Sequence, residues 1–252
     1  MRTIDWPGRL KMIILILLAL FFAGMVVSGR LYYYIGPRFG WLSVLAAGMF
    51  AFFALTYNLR GKSEREHEHE HEGHDHHDHE PTRLRSIGLL LVPAVPLALA
   101  VLIPARPLGA TAASSRGISL GLPSSSLTSA ATLDVEPTSR TVLDWARAMS
   151  ASSDPAALDG EPADVIGFVY HDIRFKKDQL MVSRFTITCC VADALAIGVV
   201  VDSPKAGQFT ADSWVRVTGS FAKGELDGKA MPVLMADTIT PIQPPQEPYL
   251  YP

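Results

Sequence analysis

Cysteine is scarce in this chain: two residues among 252, Cys189 and Cys190, side by side. That excludes a disulfide framework, which needs paired cysteines spread along the sequence. Histidine is almost confined to one tract, with His171 the single exception. No Ser/His/Asp signature, P-loop or dinucleotide fingerprint occurs, so the chemistries those motifs carry have no residues to run on. Basic residues are in deficit from Asp134 onward, with 10 Lys and Arg against 16 Asp and Glu, a net of −6. An acidic balance argues against a phosphate-binding face for nucleic acid. Charge is also missing from three long apolar stretches in the first half, and this absence is the first positive clue.

Those stretches predict three membrane spans at about 10–27, 41–59 and 87–103. The first is uncharged after Lys11, and the other two carry no charge at all. Such runs approach the length that crosses the hydrocarbon layer as a helix. The first exceeds a usual signal-peptide core and lacks a clean small-residue cleavage site, so an uncleaved helix is expected. Tyr32, Tyr33 and Tyr34 follow it and suit a membrane–water interface. Pro93 and Pro96 predict a kink in the third span. Three basic residues lie in the first eleven positions, five flank or enter the loop after the second span, and two lie in the 28–40 turn. The bias places the N-terminus and the second loop in the cytoplasm, and everything after 103 outside, in a multi-pass protein of the cell membrane.

The loop at 64–80 reads EREHEHEHEGHDHHDHE. It holds seven of the eight histidines: His67, His69, His71, His74, His76, His77 and His79. Neutral imidazole ligates zinc, nickel, cobalt and copper, and neighbouring carboxylates can complete a shell. A tract this rich in histidine is a compositional metal-binding signal that does not name the metal. It has no apolar side chain and so builds no core of its own. The competing reading is a solvated linker with accidental metal affinity.

Residues 104–137 are rich in Ser, Ala, Gly, Thr and Pro and read as a linker. The remainder, 138–252, reads as a soluble β-rich domain. Val142, Leu143 and Ala146 recur at helical spacing, so one helix is expected over 138–149. Strands are expected at 165–170, 180–189, 196–201, 214–221 and 233–240. Five short strands with turn signals between them suggest a small, closed, OB-like β-barrel. Gly219 ends the alternation of Trp214 to Thr218 and suits a corner. The fold class expected is therefore α+β, with a helical membrane part and a β domain.

Cys189 and Cys190 admit three readings. They are packed core thiols, or metal ligands with Asp193 and with His171 as the candidate fourth group, or a redox pair in an oxidising compartment. A disulfide between neighbours is strained. His171 is the one histidine outside the tract, so a cysteine nucleophile has no other histidine base.

Four segments give the chain a likeness to a known family: Tyr34-Ile35-Gly36-Pro37-Arg38, Ile103-Pro104-Ala105-Arg106-Pro107-Leu108-Gly109, Ile187-Thr188-Cys189-Cys190-Val191-Ala192-Asp193-Ala194 and Pro248-Tyr249-Leu250-Tyr251-Pro252. In these it resembles the YcgQ-like family, bacterial membrane proteins described as permease subunits. The resemblance implies an integral membrane N-terminal part, a β-rich C-terminal domain and association with a separate multi-spanning permease. It also implies a link to metal supply, notably zinc. Three helices are few for a complete transporter, and charge-free spans offer no midplane ion site. The function expected is a non-enzymatic membrane subunit that helps a permease handle a divalent metal ion or metal complex. The alternative is a surface thiol or redox protein using the cysteine pair.

Overall fold

The computed structural model describes residues 6–63, 83–119 and 135–252. The chain divides into two compact units. The first is Met1–Tyr32 with Pro37–Arg106, and the second is Tyr33–Gly36 with Pro107–Pro252.

The first unit is helical: α1 Trp6–Val27, α2 Gly40–Ser63 and α3 Arg83–Leu102. Aliphatic and aromatic residues fill α1 and α2 on every side, so neither has the polar face of a surface helix. Leu20, Phe52 and Leu55 are all more than 60% exposed. Phe22 stacks on Phe50 at 5.8 Å between ring centroids, joining the two helices. α1 ends where Gly29 takes a positive φ of 70°, a conformation glycine enters without Cβ penalty. Two helices among the described residues are long and apolar enough to cross a membrane, over Arg9–Val27 and Pro37–Thr56. Three were expected. The third position is occupied by α3, which stays helical through Pro93 and Pro96. The side chains of its first half lie outside the described residues, so it does not add a third candidate. The tract 64–80 lies outside the described residues as well.

The second unit holds α4 Ala110–Arg116, α5 Val142–Ala151 and seven strands: β1 Ile118–Ser119, β2 Pro162–Tyr170, β3 Gln179–Thr186, β4 Leu195–Asp202, β5 Trp214–Leu226, β6 Lys229–Pro241 and β7 Tyr249–Leu250. The strands form one sheet in the order β1-β4-β6-β5-β2-β3-β7, with a further β4–β3 pairing. The architecture is α+β, as expected, but the closed barrel is corrected to a curled seven-stranded sheet. β4 meets β6 through only two parallel pairs, Val201↔Leu234 and Asp202↔Met235. β5 and β6, by contrast, pair along their full length around a two-residue Asp227-Gly228 turn. Both turn residues have positive φ, 50° and 76°, which is what a type I′ hairpin requires. Their register shifts at Thr218/Gly219.

β4 is buried along its length apart from its two ends, which accounts for its unbroken run of apolar side chains. Its Ile197, Val199 and Val201 pack with Val165, Leu180, Val182, Val215, Val217 and Leu234 in the main core. α5 covers this core with Val142, Leu143, Trp145 and Ala146. The helix starts on a capping box, in which Thr141 and Asp144 exchange side-chain and backbone hydrogen bonds. Trp145 meets Phe221 at 4.5 Å, and burial of each such ring contributes about 1.5–3 kcal/mol. A second core joins Ala110 and Ala113 of α4 to Phe168, Phe185, Trp214 and Tyr249. Residues 107–119, which read as linker by composition, therefore belong to the packed β unit. A Cβ at Gly109 would displace the Asp212 carboxylate, which accepts from the Ala110 N–H at the start of α4.

Candidate functional site

β3 ends at Thr186, and the chain turns into an irregular loop, 187–194, that carries both cysteines. The loop is held by backbone bonds from three sides. At its start, the Ile187 N–H donates to the Leu250 carbonyl at 3.0 Å. Across its mouth, Asp193 accepts from Thr188 N–H at 3.2 Å and from Cys189 N–H at 2.8 Å, and Asp193 N–H returns a bond to the Cys190 carbonyl at 3.1 Å. Along its outer edge, Ile35 forms an antiparallel bridge with Cys190. Gly36 N–H donates to the Cys189 carbonyl at 2.8 Å, and Val191 N–H to the Tyr34 carbonyl at 2.9 Å. Arg116, at the end of α4, donates to the carbonyls of Val191 at 2.7 Å and Ala194 at 3.3 Å.

The Tyr249 hydroxyl extends the same frame. It donates to the Tyr33 carbonyl at 3.1 Å and accepts from Leu108 N–H at 2.9 Å. Arg184 donates to the carbonyls of Pro248 and Glu247. The four segments singled out in the sequence thus meet in one place, although they are spread across the chain. Sequence reading named Cys189, Cys190 and Asp193 but missed Arg116, Arg184 and Tyr249 as their supports. Membership in those shared segments was the available signal for Tyr249.

The thiols are free and reachable. Cys189 is exposed and Cys190 half-buried, so the reading of two packed core thiols is not what the structure has. Their sulfurs lie 3.6 Å apart. Hydrogen bonding to Asp193, then to Cys190, pushes the Cys189 thiol up to about 11. Burial raises the Asp193 carboxyl, but the N–H and thiol groups of Cys189 and the Thr188 and Cys190 N–H outweigh it, leaving a net lowering. A thiol kept protonated beside a carboxylate is a poor nucleophile.

His171 lies apart from the pair in its interactions. It follows β2, and its Nε2 sits 2.8 Å from the Phe209 carbonyl. Next to it, Asp172 is held at about 2, chiefly by its hydrogen bond from Arg174. Among the described residues no three His, Cys, Asp or Glu side chains gather as a cation cage. His67, His69, His71, His74, His76, His77 and His79 lie outside those residues. A shallow groove of about 320 Å³ opens beside the cysteine loop, lined by Leu143, Arg147, Thr186, Thr188, Asp193, Leu195 and Pro252.

Residues 10–119 match the DUF1980 N-terminal domain and residues 138–252 the DUF1980 C-terminal domain. The chain is also similar to the UPF0703 protein YcgQ of Bacillus subtilis (strain 168), with 30% identity over 99 residues. That alignment spans 38% of this chain and 35% of the relative.

Proposed function

Because the chain belongs to the DUF1980 family, the YcgQ-like family, we propose that it is a non-enzymatic membrane subunit that helps a separate multi-spanning permease handle a divalent metal ion or metal complex. The observation that carries this reading is the tract at 64–80, seven histidines interleaved with carboxylates between α2 and α3. Imidazole and carboxylate together suit zinc and its neighbours. The apolar helices support membrane residence, and the charge-free character of 12–27, 41–59 and 87–103 supports an accessory role, since ion pathways through a membrane are built from ionisable side chains.

We read the strand connectivity as OB-like. β2, β3 and β4 are consecutive antiparallel neighbours, β4 touches β6 in parallel, and β6 returns through β5 to β2. This likeness bears on fold alone. The thiol-protein alternative has one supporting observation, the exposure of Cys189, but the neighbouring carboxylate opposes thiolate chemistry.

The test replaces all seven tract histidines with glutamine in the full chain. Zinc or nickel bound by the purified protein should fall several-fold. Membrane insertion and the β unit should be unaffected, because the tract has no apolar side chain to contribute to packing. Equal metal content in both proteins would overturn the tract's role.

A further inference from the structure

The loop 187–194 spends its backbone polar groups on its own closure and on Tyr34, Gly36, Leu250 and Arg116, and leaves the Cys189 thiol exposed beside a half-buried Cys190. Neither sulfur is in a disulfide. Cys190 is in extended conformation, φ −157° and ψ 172°. An ideal strand would send adjacent side chains to opposite faces, but β3 has ended at Thr186 and the irregular loop brings the sulfurs to 3.6 Å. Two thiolates on one tetrahedral zinc, each about 2.3 Å from the metal, lie about 3.8 Å apart. The free pair is thus already close to the bite of a chelate.

We propose that Cys189 and Cys190 form an open two-sulfur site for zinc or another thiophilic d-block cation, with Asp193 as part of its frame and His171 outside it. The inference rests on the metal-handling reading for the class of ligand. Two sulfurs fill half of a tetrahedral shell. With Cys189 exposed, the half-filled shell leaves positions for solvent or an incoming ligand, which suits passing a cation on more than storing it. Loading breaks two S–H bonds and forms two S–metal bonds; two protons go to solvent and no electron changes hands. The Asp193 charge discriminates between uses of the pair. It opposes a bare thiolate, yet it attracts a divalent cation held between the sulfurs. The frame is continuous with the connection between α1 and α2, because Tyr34 and Gly36 supply its outer bonds.

The experiment uses the full chain in detergent, with the seven tract histidines changed to glutamine so that the cysteines alone report. Cadmium serves as the probe, since its bonds to thiolate give an ultraviolet charge-transfer band. One cadmium per chain should produce a two-thiolate band. Cys189→Ser or Cys190→Ser should each weaken cadmium binding by about ten-fold or more, as loss of a ligand costs at least what loss of its supporting partner does. Phenylarsine oxide, which joins two neighbouring thiols to one arsenic with release of water, should block the band in the protein with both cysteines intact. That arm needs no cysteine substitution and guards against variants that misfold. Absence of the band, or its survival unchanged in either serine variant, would overturn the site. Failure of the tract reading shows elsewhere, in unchanged metal content between the histidine and glutamine proteins, so the two outcomes separate.

Discussion

Arg184 shows how a single side chain holds the end of the β unit. Its guanidinium donates to the carbonyls of Pro248 at 3.1 Å, Tyr249 at 3.5 Å and Glu247, and lies 5.8 Å from the centroid of the Trp214 ring. Burial draws its pKa down to about 10, which still leaves it charged at neutral pH. A planar fork of donors can reach several carbonyls at once, whereas an ammonium is a point charge on a flexible stem. Arg184→Lys should therefore rescue little of the loss caused by Arg184→Ala. We expect Arg184→Ala to lower stability by about 2 kcal/mol, the scale for hydrogen bonds to a charged group. Amide exchange over 249–251 should speed up in both variants. Hydrogen exchange measured by mass spectrometry on the full chain checks this, and unchanged protection of those amides would contradict the anchoring role.

At the scale of elements, β2 to β6 were legible because each is long and apolar enough to show its pattern in the sequence. β1 and β7 have two residues each, and they exist only through their neighbours, β4 and β3. No local pattern marks such elements. α4 hid in a Ser- and Ala-rich stretch because Ala110 and Ala113 pack through small size, and small residues also compose linkers. The cysteines were legible as a pair, but their exposure was not. That depends on β3 ending at Thr186 rather than running on to 189. Barrel closure was overestimated because strand count does not reveal how far β4 and β6 overlap. Gly219 was expected to mark a corner, but β5 runs on through it to Leu226. The register shift between β5 and β6 falls there, and the Met235 carbonyl stands where a Cβ would go. Backbone cannot swing aside as a flexible side chain can, so Gly219→Ala should cost about 1–3 kcal/mol. A urea midpoint followed by tryptophan fluorescence measures it, and an unchanged midpoint would mean that the sheet relaxes there freely.

For the whole molecule, the short connection Tyr33–Gly36 matters most, because it belongs to the β unit while joining α1 to α2. In the proposed membrane arrangement, this connection and the β unit share one side. With the basic residues concentrated in the N-terminal tail and around the histidine tract, the proposed side is extracytoplasmic. Reporters placed after Pro252 should be active outside, and a reporter inserted at Gly73 should be active in the cytoplasm. Opposite activity at both positions would reverse the orientation.

The same connection sets an order of assembly in time. The Tyr33 carbonyl waits for a hydroxyl 216 residues further along the chain. At bacterial and eukaryotic translation speeds together, that interval lasts on the order of ten to forty seconds. Over most of it, until the cysteine loop is made, the link between the first two helices has no β partner to join. The β unit thus finishes last at the point where it meets the earliest-made part of itself, and its last-made contact is the one that ties Tyr249 to the connection between α1 and α2.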